Sequence, residues 1–98
     1  MTGSPAFLAH RSGDDVAVAV GDVEAGAVTV VYLDSGDHED KVAVEAIPLG
    51  HKLALRDLEK GTPVTEYGET IGVMYEAVPA GGLVHVHNLR SARWVPPR

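Results

Sequence analysis

Near its C-terminus the chain reads GGLVHVHNLR, residues 81–90. His85 and His87 stand two residues apart, which in an extended strand puts both side chains on one face, about 6.5–7 Å from each other. Two imidazoles so placed can share a metal ion at about 2.0–2.1 Å from each nitrogen, work as an acid–base pair, or face solvent. From spacing alone the solvent-facing account is the commoner one, because polar strand residues mostly lie on the wet face. The pair is also an incomplete metal site. Carboxylates or further histidines must complete it, and nothing in the spacing of His10, His51 or the 14 acidic residues selects a third ligand.

Other side chains offer complementary chemistry. His51 and Lys52 follow Pro48-Leu49-Gly50 at the mouth of a short apolar run. Such a pair can bind a carboxylate, or the lysine can act as a base; a solvated loop pair is the bland alternative. Arg90 ends the HVHNLR stretch, and its guanidinium fork suits a carboxylate ligand, or else an acidic surface of this chain or a partner. Tyr67 stands at a strand end before Gly68, where its hydroxyl can reach a site or simply lie half-buried. Trp94 is the single tryptophan and opens the tail WVPPR, a segment suited to docking on a partner or to folding back over its own sheet.

Composition limits what these residues can serve. With 14 acidic against 8 basic residues the net charge is −6, which argues against nucleic acid and against an anionic membrane as partners. The chain contains no cysteine, so disulfides and thiolate metal sites are excluded. The N-terminal residues lack a basic segment followed by an apolar stretch, and no run approaches the roughly 20 apolar residues of a membrane span. The expected location is the cytoplasm. Ninety-eight residues make one small domain, or a subunit that gains from a partner, since a chain of this size buries only about 60–65% of its unfolded surface.

The elements that must position the site residues follow a period of two. Residues 15–21, 27–33, 41–47, 52–55, 62–67, 70–78 and 83–89 are alternating or β-branched runs separated by glycine, proline and acidic pairs. No window carries a helical apolar stripe. The acidic stretch 34–40 reads as a hairpin tip, and the prolines of 94–98 keep the tail out of a central strand. The predicted fold is all-β with short strands and at most one or two helical turns. Its expected organisation is an N-terminal tail over 1–9, a domain over 10–93 and a C-terminal tail over 94–98.

The chain also repeats itself. Residues 47–58 (IPLGHKLALRDL) and 78–89 (VPAGGLVHVHNL) share an aliphatic-Pro-x-Gly turn, an alternating strand and a closing Asp/Asn-Leu. Residues 18–26 (VAVGDVEAG) match 53–61 (LALRDLEKG) in the same way. Asp22, Asp57 and Asn88 thus each leave a strand, where a short side-chain acceptor can cap the next turn of backbone. The earlier copy carries Ala54 and Arg56 where the later one carries His85 and His87. The frame therefore does not require those histidines, which marks them as additions with a function.

At this point the residues resemble a known family. The motifs DDVAVAV (14–20), GHKLALRDLEKGTPV (50–64), YGETIG (67–72) and HVHNLRS (85–91), in this order, look like the SAF-type domain of the altronate/galactarate dehydratase family, which also includes sulfolactate sulfo-lyase. The resemblance runs from about His10 to Arg93. It implies a small SAF, β-clip-like fold, found either at the start of a long chain or as a separate small subunit. It further implies a large catalytic subunit as partner, a sugar acid such as altronate or galactarate as substrate, and a divalent metal, Fe2+ or Mn2+, held mainly by the large subunit. Members often have a proline after the first histidine and an Asp-Asn pair before the first strand; here those places hold Arg11 and Asp14-Asp15.

On this reading the chain is the small subunit of a metal-dependent hydro-lyase, inactive alone, in which His85 and His87 act in catalysis or alternatively as metal ligands. His51, Lys52 and Arg90 contact the substrate. The alternatives are a non-catalytic SAF module that binds carbohydrate or guides assembly, and a structural β domain that self-associates as a homo-oligomer.

Overall fold

The structure is a computed structural model that describes residues 6–84 and 89–91, with only the backbone of Arg90 and Ser91. Nine strands appear among them and no helix: β1 (Phe7–Ala9), β2 (Val16–Ala19), β3 (Gly26–Tyr32), β4 (His38–Ala43), β5 (Lys52–Ala54), β6 (Pro63–Glu66), β7 (Glu69–Met74), β8 (Leu83–Val84) and β9 (Leu89–Ser91). They form a six-stranded sheet in the order β4-β3-β1-β2-β5-β8 and a three-stranded sheet in the order β6-β7-β9. The expected all-β class holds. Two strands escape the period-two reading: the run 83–89 contributes β8 to the larger sheet while β9, in the smaller sheet, shares only Leu89 with it, and β1 lies inside residues 1–9, which were expected to be a tail. It is too short to show a period, yet it pairs antiparallel with β2 and parallel with β3.

Two cores explain the composition of the strands. Phe7, Ala9, Ala17, Ala19, Val30, Ala43, Ile47, Leu53 and Leu55 form the first. Val16, Ala54, Leu58, Val64, Met74, Val78 and Val84 form the second, which joins the two sheets. Strand β2 reads VAVA, with no polar position, because it is buried on both sides: Val16 enters the second core while Ala17 and Ala19 enter the first. Strand β5 divides likewise, with Leu53 in one core and Ala54 in the other.

The sequence repeat is one pairing module used twice. Val23 and Ile47 exchange backbone hydrogen bonds at 2.9 and 2.8 Å, and Leu58 and Val78 do so at 2.8 and 2.8 Å. Asp22 Oδ1 accepts from the Leu49 N–H at 2.9 Å, and Asp57 Oδ1 accepts from the Ala80 N–H at 2.8 Å. Both aspartates are structural, as expected, but they cap no local turn. Each satisfies a donor in the distant Pro-x-Gly turn, a link that spacing along the chain does not reveal. Asn88, the third member of the series, lies outside the described residues.

The acidic tip is shorter than expected, because β4 begins at His38 and takes in Glu39 and Asp40. The Tyr32 hydroxyl donates to Glu39 Oε1 at 2.5 Å across the β3–β4 hairpin. Burial first, and then the Glu39 carboxylate, push the tyrosine pKa far above its ordinary value. The same hydrogen bond holds Glu39 below the usual carboxylate range. The stabilisation from Glu39 is therefore present above its unfolded value of about 4.3 and is lost as pH falls through the folded value. That from Tyr32 is present below about pH 10 and is lost as pH rises beyond it. Tyr32→Phe is expected to flatten both limbs of the stability–pH curve, read by thermal unfolding across that range.

Candidate functional site

The junction of the two sheets gathers ionisable residues around one buried carboxylate. Glu66 closes β6, and alternation puts it on the same face as Val64, which lies in the second core. Its residue exposure is 5%. A carboxylate at that depth is rare unless paired. Lys52 Nζ approaches Glu66 Oε1 at 3.7 Å and His10 Nε2 approaches Oε2 at 4.0 Å, distances of ion pairing rather than of tight hydrogen bonds. Lys52 and His10 keep side-chain exposures of 29% and 26%, so both side chains are partly open to solvent while Glu66 stays inside.

Strand register brings Lys52 to this place. Leu8, Val18, Lys52 and Val84 are successive Cα partners across β1, β2, β5 and β8, and the neighbouring row holds Leu53 of the first core. Lys52 thus emerges on the face that carries the smaller sheet. His51, one residue earlier, does not join it. His51 precedes β5 and is exposed, with ring Nδ1 3.4 Å from the Leu49 carbonyl.

The other side of the site is fixed by a strained turn. Tyr67 and Gly68 link β6 to β7 with φ values of 60° and 74°, the pattern of a type I′ hairpin, where asparagine or glycine is usual and tyrosine costs backbone energy. Asp14, 6% exposed, offsets that cost. Its carboxylate accepts from the backbone N–H groups of Arg11, Tyr67 and Gly68 at 3.2, 3.0 and 3.2 Å. The Tyr67 ring, half exposed, stacks on His10 with centroids 3.6 Å apart and planes 20° from parallel. Asp15 ties the same region to β6, accepting from Arg56 Nε at 2.7 Å and the Thr65 N–H at 2.8 Å. Asp14→Ala would leave three donors without their acceptor and the strained turn without its clamp. A loss of about 2–4 kcal/mol in urea unfolding is the expected outcome.

His85 and His87 lie outside the described residues. Arg90 sits on β9 with Val73 as its Cα partner. Among the described residues no group of three or more His, Cys, Asp or Glu side chains gathers as a metal site. His10 and Glu66 alone offer two donors, and the Lys52 ammonium beside them repels a cation, so these residues do not fit a metal ion. No helix among the described residues is long and apolar enough to cross a membrane. The sequence reading passed over Glu66. Its signal was a charge in phase with Val64 on the apolar face of TPVTEY.

Comparison with known proteins supplies the context. Residues 5–92 match the family described as the altronate/galactarate dehydratase SAF domain. The chain is 39% identical over 90 residues to (2R)-sulfolactate sulfo-lyase subunit alpha of Chromohalobacter salexigens, covering 90% of this chain and 96% of that protein. It is 43% identical over 65 residues to the subunit of the same name from Paracoccus pantotrophus, covering 66% of this chain and 96% of that one. Against altronate dehydratase of Escherichia coli the identity is 37% over 85 residues, covering 87% of this chain but 16% of that enzyme.

Proposed function

The chain belongs to the altronate/galactarate dehydratase SAF-domain family, and from that premise we propose that it is the small subunit of a lyase acting on a hydroxy acid. The observation that carries this reading is coverage. The two relatives named as alpha subunits are matched over 96% of their length, whereas altronate dehydratase is matched over 16%. A chain of this kind works with a separate large catalytic subunit and is inactive without it.

The reaction is dehydration of a sugar acid such as altronate or galactarate. A second reading, elimination of sulfite from (2R)-sulfolactate, is favoured by the names of the two relatives matched over almost their whole length. Both substrate classes carry a carboxylate, and the cations of this acidic chain are suited to it. Lys52 presents an ammonium with three donors, and Arg90 and the exposed His51 are further substrate contacts on this reading. His85 directly follows Val84, the partner of Lys52, and with His87 it exchanges protons with the reacting groups or holds the metal. The divalent ion, Fe2+ or Mn2+, belongs mainly to the large subunit on this reading, and the described residues of this chain take no step through it.

The test is co-expression with a large-subunit chain of the same dehydratase family, assaying altronate, galactarate and (2R)-sulfolactate with Fe2+ or Mn2+. Turnover of one of them by the pair, and by neither chain alone, is the expected result. Activity of the large chain without this one would overturn the subunit reading.

A further inference from the structure

Glu66 is the one deeply buried carboxylate among the described residues whose side chain faces two partly exposed basic groups. Asp14 and Asp15, the other two buried acids, spend their oxygens mainly on backbone N–H groups and one arginine. An aliphatic residue in place of Glu66 would extend the apolar face begun by Val64, and replacing a buried ionic group by apolar packing is often neutral or stabilising. Structural need alone therefore does not explain a carboxylate here. Its partners come from separate parts of the fold, His10 after β1 and Lys52 from β5. Around them the Asp14 clamp and the strained Tyr67 hold three chain segments together.

We propose that Glu66 is a positioning residue that aims the Lys52 ammonium, with the His10–Tyr67 stack as its side wall, at the carboxylate or sulfonate of an acid ligand. Lysine has a long stem with large rotamer freedom, which must be given up when its head binds a ligand. An ion pair formed beforehand to a buried oxygen removes much of that freedom. It uses one side of the ammonium and leaves its other N–H donors for the ligand. Glu66 acts through Lys52 and touches no substrate. The proposal rests on the reading above, in which Lys52 contacts the substrate.

The two-subunit enzyme provides the test, with (2R)-sulfolactate and altronate as probes. Glu66→Gln keeps size and polarity but removes the charge. It is expected to raise KM about three- to tenfold with kcat within twofold, the range set by immobilising one flexible side chain. Glu66→Asp keeps the charge and draws it back by one methylene, so an intermediate KM is expected; it also serves the comparison if the glutamine variant does not fold. In a Lys52→Ala background, Glu66→Gln is expected to change KM no further. Full additivity of the two substitutions, or a fall in kcat with unchanged KM, overturns the positioning role while leaving the Lys52 contact standing. A wild-type KM in Lys52→Ala alone overturns both.

Discussion

His85→Ala and His87→Ala, each in the two-subunit enzyme, are expected to lower turnover by about 10²–10⁴-fold, the range supplied by a positioned proton donor or acceptor. Assembly with the large subunit should stay intact, as read by co-purification. The expectation rests on the internal repeat, whose two copies share the Pro-x-Gly turn and the Asp/Asn stop but not the histidines. Ala54 and Arg56 stand in their places in the earlier copy, where β5 forms over Lys52–Ala54 with no histidine at either place, so removal of the histidines should strike function rather than folding. Wild-type rates in both variants would take the histidines out of the site. A loss restored by added Fe2+ or Mn2+ would assign them to the metal instead of to proton transfer.

The second large effect concerns the turns of the same repeat. Gly50 and Gly81 are twins, with φ values of 81° and 86°, and each donates its N–H to an alanine carbonyl, of Ala19 at 2.9 Å and of Ala54 at 2.8 Å. Their surroundings differ. A Cβ on Gly50 meets nothing within 4 Å, whereas one on Gly81 lies 1.9 Å from the Val42 carbonyl oxygen. That oxygen is backbone and cannot swing away. Gly50→Ala is expected to cost about 1–2 kcal/mol, the left-handed penalty alone. Gly81→Ala adds overpacking against a fixed strand and should cost about 3–5 kcal/mol, a large part of the total stability of a domain this small. Urea unfolding of the two variants side by side measures the difference, and equal midpoints would show that the repeat is closed in the same way at both turns.

Lys52 and Glu66 show how far the sequence was legible. Lys52 stood out because a cation follows a Pro-x-Gly turn in an acidic chain, and the structure gives it a defined partner. His51, its neighbour in the sequence, precedes β5 and stays in solvent. Tyr67 was legible as a strand-end residue before a glycine, though neither its left-handed backbone nor the Asp14 clamp could be read from that place in the sequence. β1 was hidden because three residues carry no period, and its place between β2 and β3 is set by pairing with segments far along the chain.

The sequence by itself determined the all-β frame, the repeated turn–strand–Asx unit and the family, since each is written in local spacing and in ordered motifs. Tertiary structure alone decided that Asp22 and Asp57 reach across to Leu49 and Ala80, and that one twin glycine is irreplaceable while the other sits in open space. It also decided that Glu66 lies buried between His10 and Lys52. The physical reason is the same in each case: a hydrogen bond, a steric contact or an ion pair depends on distance in space, and in a β fold the nearest atoms belong to strands that pair from distant parts of the chain.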